Sequence, residues 1–274
     1  MGKVKIKRKS TLIDMTAMSD VTVLLLTFFM LTSTFLQKEP QVVVTPSSVS
    51  EEKVPMNNFV TLLVSSADKS GKLEDPTVTE GKVFLSFAGD ADSTYSSSKV
   101  RAMILDEAVA IYNRVHPNKQ ITLDGAQRAK FAGLNMVGVN FEVLPEFLSM
   151  PDLQRDKFQE ELANPKVGIP MERYNNDIKN EKGFNQLQIW CQAIRNVAGN
   201  IDDVRKAGLT PEELSNLVTL ADAIQKGEGI GVKADKDTPF EVVHDVFDNL
   251  QTMGLNKFSL MTALKSEDEV KTQQ

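Results

Sequence analysis

The chain has 274 residues, one cysteine, two histidines and a net charge of −6, with a mean hydropathy of −0.21. Five cations, Lys3, Lys5, Lys7, Arg8 and Lys9, sit in the first nine residues, so the remainder is more acidic than the total and argues against nucleic-acid binding. Lone Cys191 excludes an intramolecular disulfide, and two histidines with one cysteine give no metal-ligand spacing, so neither metal nor cofactor is expected.

Residues 1–13 read as a basic tail and 14–36 as the one long apolar run. At about 1.5 Å of rise per residue, that helix spans the roughly 30 Å of bilayer hydrocarbon. Asp20 lies near its start, just before Val21-Thr-Val-Leu-Leu-Leu26. A carboxylate inside such a span costs at least about 2.5–3.5 kcal/mol on insertion scales, and membrane proteins that keep one use it for a proton, an ion or a partner helix. The competing reading is an acid one turn into the helix that reaches the headgroups or caps the N-terminus, a task Asp14 or Ser19 could equally perform. Thr16, Val23, Leu24, Thr27, Leu31 and Thr34 share the Asp20 face at helical spacing.

The basic tail faces a nearly neutral flank, Lys38 and Glu39, so the N-terminus is expected in the cytoplasm and everything beyond Leu36 outside it. A cleaved signal peptide has an apolar core of only about 7–15 residues and an Ala-x-Ala-like site. Here the run is longer and passes into Thr34-Phe-Leu-Gln-Lys-Glu39, which favours an uncleaved anchor.

Residues 37–58 carry Pro40, Pro46 and Pro55 among serines and read as an extended linker. Within it Val42, Val43, Val44 and Pro46 mark a β-prone island. It is either plain linker or a segment that pairs with a sheet edge, in its own dimer or in a partner. A folded part is expected over 59–264, with a polar, mostly helical insertion at about 89–228, and a disordered tail over 265–274.

Phe59 to Val64 and Val83 to Phe87 read as strands, and Lys99 to Val115 as an amphipathic helix with Val100, Ile104, Ala108 and Ile111 on one face. Helices are expected from Ser149 to Leu162, from Asn185 to Val197, and from the Thr210-Pro-Glu-Glu213 capping box to Gln225. The clearest unit is C-terminal: a strand at Gly229–Ala234, a helix at Phe240–Met253 stopped by Gly254, and a strand at Lys257–Thr262, long enough for a parallel crossover. The expected core includes Leu62, Val64, Val83, Leu85, Val232, Val246, Phe247, Leu250, Phe258 and Leu260.

No enzyme constellation emerges. Gly227-Glu-Gly-Ile-Gly231 precedes a strand rather than a helix and cannot cradle phosphate as a dinucleotide loop does. Asp235 and Asp237 read as helix-start acids, and His244 as a surface residue.

Ile13-Asp-Met-Thr-Ala-Met-Ser-Asp20-Val, following a short basic tail, resembles the ExbD/TolR family of biopolymer-transport proteins. In that family's Val-Thr-Pro-hydrophobic-Ile-Asp-Val pattern the Asp is the proton-path carboxylate. Thr16, Asp20 and Val21 match, and Ala17 stands in place of the Pro. Gly231 to Asp235, Pro239 to Leu250 and Gly254 to Thr262 look like the family's closing strand–helix–strand, and Val42 to Pro46 resembles its short post-membrane strand. The long middle resembles enlarged ExbD-like proteins of Bacteroidetes-type envelopes.

The resemblance implies a non-enzymatic α/β protein of the cell inner membrane: one N-terminal transmembrane helix and a periplasmic α+β or α/β domain. It implies an ExbB-like multispan pentamer around two copies of the helix, hence a homodimer, with proton motive force passed to a TonB-like protein that energises outer-membrane transport. Asp20 would be the proton-path residue. The alternatives are a TolR-like or stator-like subunit acting on peptidoglycan, and a signal-anchored periplasmic binding module.

Overall fold

A computed structural model describes residues 15–32, 43–48, 60–66, 81–87, 97–171, 183–207, 220–236, 238–261 and 263–264. The chain divides into two compact units, Met1–Lys38 and Glu39–Gln274.

The first unit contains helix α1, Met15–Thr32. Its Leu, Met and Phe residues favour helix, and every described side chain from Met18 to Met30 is exposed. A helix apolar on all sides has no one face to turn toward a core and calls for surroundings that are apolar all round.

The second unit is built on a five-stranded sheet of order β4-β3-β2-β5-β6. Central β2, Val60–Ser66, runs antiparallel to β3, Gly81–Phe87, and parallel to β5, Ile230–Ala234. Short β4, Met136–Val137, joins β3 antiparallel, and β6, Ser259–Met261, joins β5 parallel. The register aligns Leu62 with Leu85 and Val232 on one face, and Leu63 with Phe84 on the other. Because strand side chains alternate, the Val-Thr-Leu-Leu-Val run of β2 feeds both faces.

The first face carries the main core. Helix α2, Ser97–Val115, contributes Val100, Ile104, Ala108 and Ile111, all buried. Helix α6, Gln186–Ala207, adds Trp190, Ile194, Val197 and Ile201, and helix α8, Phe240–Thr252, adds Val242, Val246 and Leu250. Trp190 stacks with both Phe131 and Phe141, at centroid separations of 6.0 and 5.0 Å. The helices of 89–228 therefore share this core with the sheet and are not an appended body. Shorter helices complete it: α3 at Gly125–Gly133, α4 at Leu144–Ser149, α5 at Asp152–Glu160 and α7 at Leu220–Lys226.

Local signals explain the helix ends. Asp124 and Gln127 exchange side-chain-to-backbone hydrogen bonds of 2.6 and 2.9 Å at the start of α3, and Asn185 and Gln188 do the same for α6 at 2.9 and 3.0 Å. Gly254, at φ 73°, ends α8, with Leu255 N–H donating to Leu250 C=O at 2.9 Å and Gly254 N–H to Gln251 C=O at 2.9 Å. That left-handed residue with paired return bonds satisfies the last carbonyls of the helix. The strand–helix–strand unit expected from the sequence is present, with β5 and β6 parallel.

Several expectations are adjusted. Leu260 is 46% exposed instead of buried, because β6 is an edge strand with a neighbour on one side only. Phe247 and Phe258 are half-buried and stack at 4.6 Å. The helix expected from Ser149 to Leu162 is the shorter α5, which starts after Pro151, whose φ/ψ of −62°/152° is extended, while Ser149 closes α4. The Thr210–Glu213 capping box and the tail over 265–274 lie outside the described residues.

Candidate functional site

Asp20 is the sixth residue of α1. The four orphan N–H groups at a helix start belong to the residues before it, so from this position Asp20 is past the cap and about 7.5 Å along the axis from Met15. Neighbouring hydroxyls are turned onto the helix's own backbone. Thr22 Oγ1 donates to the Ser19 carbonyl at 2.8 Å and lies 3.0 Å from that of Met18, and Thr27 Oγ1 donates to Leu24 at 2.9 Å. On the helix, Thr16, Val23, Leu24, Thr27 and Leu31 fall within about 60° of Asp20 around the axis at 100° per residue. Thr34 lies outside the described residues. Of the residues on this stripe, Asp20 alone carries an ionisable side chain.

Among the described residues no helix is long and apolar enough to cross a membrane. The 18 residues of α1 rise about 27 Å, and the sequence run continues through residues 33–36, outside the described residues.

The post-helix island has a defined place in the second unit. Val43 is buried against Leu63, Phe84, Met136 and Val167, closing the second face of the sheet. Val44 is exposed, and its carbonyl accepts from Lys236 N–H at 2.8 Å. Strand pairing comes later than the sequence suggested: β1, Ser47–Ser48, pairs in parallel with β7, Ala263–Leu264. Proline has no N–H for a ladder, which places the pairing after Pro46 rather than across Val43 and Val44. The surfaces that receive this strap belong to the same chain, and Val42 lies outside the described residues.

Elsewhere the charged and polar groups serve the fold. Arg101, buried, donates from Nε and Nη2 to the Phe87 carbonyl, both at 3.3 Å, and from Nη1 to Ala132 at 3.1 Å. Burial lowers its pKa. Arg101 ties α2 to the ends of β3 and α3, a role no sequence period signals. Asp235 accepts at its backbone carbonyl from Thr238 N–H at 3.0 Å, while Asp237 lies outside the described residues. His244 is exposed, its Nδ1 3.1 Å from Asp248. Among the described residues no group of three or more His, Cys, Asp or Glu side chains could hold a metal ion.

With that geometry in place, comparison with known proteins is informative. The family model described as Biopolymer transport protein ExbD/TolR matches residues 7–139, which take in α1, the strap and the sheet from β2 to β4. Over that stretch, just under half of the chain, the protein matches the ExbD/TolR family. That family's members are transport-related, non-enzymatic energy transducers, typically of the inner membrane and working with partner membrane proteins. The match ends before the β5–α8–β6 unit, whose likeness to the family rests on the sequence pattern alone. No curated protein and no solved structure matches the chain.

Proposed function

We propose that the protein is the single-pass subunit of a proton-driven motor, with Asp20 as the residue that takes up and releases the proton. The observation that carries this reading is a carboxylate in the second turn of a helix apolar on every side, inside the stretch matched by the family model. One such helix cannot conduct protons through lipid, because its backbone bonds are internal and a path needs polar groups from other helices. An ExbB-like multispan pentamer around two copies of α1 would supply them. Asp20 would then alternate between neutral and ionised forms as its neighbours change.

The Lys3 to Lys9 cluster supports a cytoplasmic N-terminus, which puts the second unit in the periplasm. There it would act on a TonB-like protein that energises outer-membrane transport. The Val43–Ser48 strap would hold the domain close to the membrane in the resting complex.

The test is uptake of an outer-membrane receptor's substrate in cells carrying Asp20→Asn or Asp20→Glu. Asn keeps the size and hydrogen-bonding capacity but cannot exchange a proton at physiological pH. Asp20→Asn should abolish uptake while the protein still co-purifies with its multispan partner, and Asp20→Glu should retain part of it. Wild-type uptake in Asp20→Asn removes the proton-relay role.

A further inference from the structure

The strap touches the second unit through three contacts in series: the Val43 side chain in the second-face cluster, the Lys236-to-Val44 backbone bond, and the β1–β7 pair. We infer that this strap is a clasp that opens under tension before the domain unfolds, and that opening it lengthens the domain's reach from its anchor. The inference rests on the membrane-anchored reading above.

The direction of the strands sets the mechanics. β1 and β7 are parallel, with Ser47 opposite Ala263 and Ser48 opposite Leu264, so their N-terminal ends adjoin. β7 is joined at its N-terminal end, through residue 262 alone, to β6, which is laddered to β5. A pull from α1 enters β1 at its N-terminal end. Both loaded ends thus lie at one end of the ladder, and tension parts the two residue pairs one after the other instead of loading them together. Peeling of this kind needs far less force than sliding a whole ladder.

The next element to feel the pull resists it better. β2 is held on both edges, by seven residue pairs to β3 and five to β5. It also supplies buried side chains to both faces of the sheet, Leu62 and Leu63 among them. The clasp is consequently the first part to yield.

Chain length fixes what yielding achieves. Eleven peptide steps separate Thr32 from Val43, which can span at most about 40 Å. From Thr32 to Val60 there are 28 steps, at most about 100 Å. Opening the clasp therefore raises the ceiling on the domain's distance from α1 by roughly 60 Å. A motor pulling through its own anchor would extend the tether while the ladder of β2 with β3 and β5 stays intact.

Single-molecule pulling on the full chain in detergent micelles tests this, with handles on azide-bearing side chains introduced at Lys38 and Lys206. The expected trace shows an early, low-force lengthening that frees the 17 steps from Val43 to Val60, at most about 60 Å, before the larger unfolding event. In a Ser47→Cys, Ala263→Cys pair made on a Cys191→Ser background, oxidation should cut the early lengthening to the four steps from Val43 to position 47, at most about 14 Å, and reduction restore its full length. Val43→Ala should lower the force of the early step and leave the later one unchanged. A single rupture with no early step, or an early step that keeps its full length after oxidation of the pair, overturns the inference. The measurement involves neither proton flow nor a partner, so it can fail while the motor reading stands, and the Asp20 variants can fail while the clasp stands.

Discussion

The backbone N–H of Lys236, just beyond the end of β5, donates to the Val44 carbonyl at 2.8 Å. That bond fixes Val43 over the second face of the sheet, where Leu63, Phe84, Met136 and Val167 bury it. A segment that composition marks as linker is thereby part of the folded domain.

Removing the Val43 side chain should cost the domain about 1–3 kcal/mol, since a buried aliphatic side chain is lost from an otherwise closed face. Val43→Ala is expected to lower the denaturant midpoint followed by fluorescence of Trp190, the single tryptophan, which lies in the main core. An unchanged midpoint would mean the contact contributes nothing.

Gly138 is required by close approach. A Cβ there would lie 2.1 Å from the ring of Phe84, whose own position is fixed opposite Leu63. Gly138→Ala should destabilise by about 1–3 kcal/mol through overpacking. Phe84→Leu in the same chain should recover part of that loss, which a double-mutant cycle would measure.

Arg101 gives a sharper contrast between two cations. Arg101→Met leaves the Phe87 and Ala132 carbonyls without their donors, at about 1–3 kcal/mol for each group that stays buried and unpaired. Arg101→Lys carries one compact ammonium in place of the guanidinium fork and should recover only part of the loss. Equal stability of Lys and Arg at this position would show that charge alone matters.

Burial pushes the Cys191 thiol up to about 12, from an ordinary value near 9. The folded state therefore holds its proton where the unfolded chain has released it. This contribution to stability is fully present below about pH 9 and is lost as pH rises from there toward 12. Wild type should lose stability more steeply than Cys191→Ala across that window, and its thiol should resist alkylation at pH 8 until the domain is unfolded. Parallel stability curves for the two proteins would contradict this.

The C-terminal unit was the most legible part of the sequence. A short β-prone run, a 3.6-residue apolar period and Gly254 as a left-handed stop all agree there. The α3 start is equally written in Asp124 and Gln127, three residues apart. Apolar character alone puts Leu260 in the core, because it does not report that β6 is an edge strand. A single buried cation such as Arg101 has no period and leaves no signal in the sequence. The strap was half legible: Val43 announces itself as apolar, whereas the pairing falls on Ser47 and Ser48, residues with low strand propensity that pair because Ala263 and Leu264 are brought beside them. Asp20 stood out because a charge in an apolar helix is costly wherever the helix lies in lipid.

Proton flux through the assembled complex tests the central claim most directly. The protein, co-purified with the multispan partner proposed for it, would be reconstituted into proteoliposomes holding a pH-sensitive dye and given an inward pH gradient. The wild-type complex should dissipate the gradient faster than empty vesicles, and the Asp20→Asn complex, with the same subunit composition, should match the empty vesicles. Equal proton entry through wild-type and Asp20→Asn complexes would contradict the assignment of Asp20 as the proton carrier.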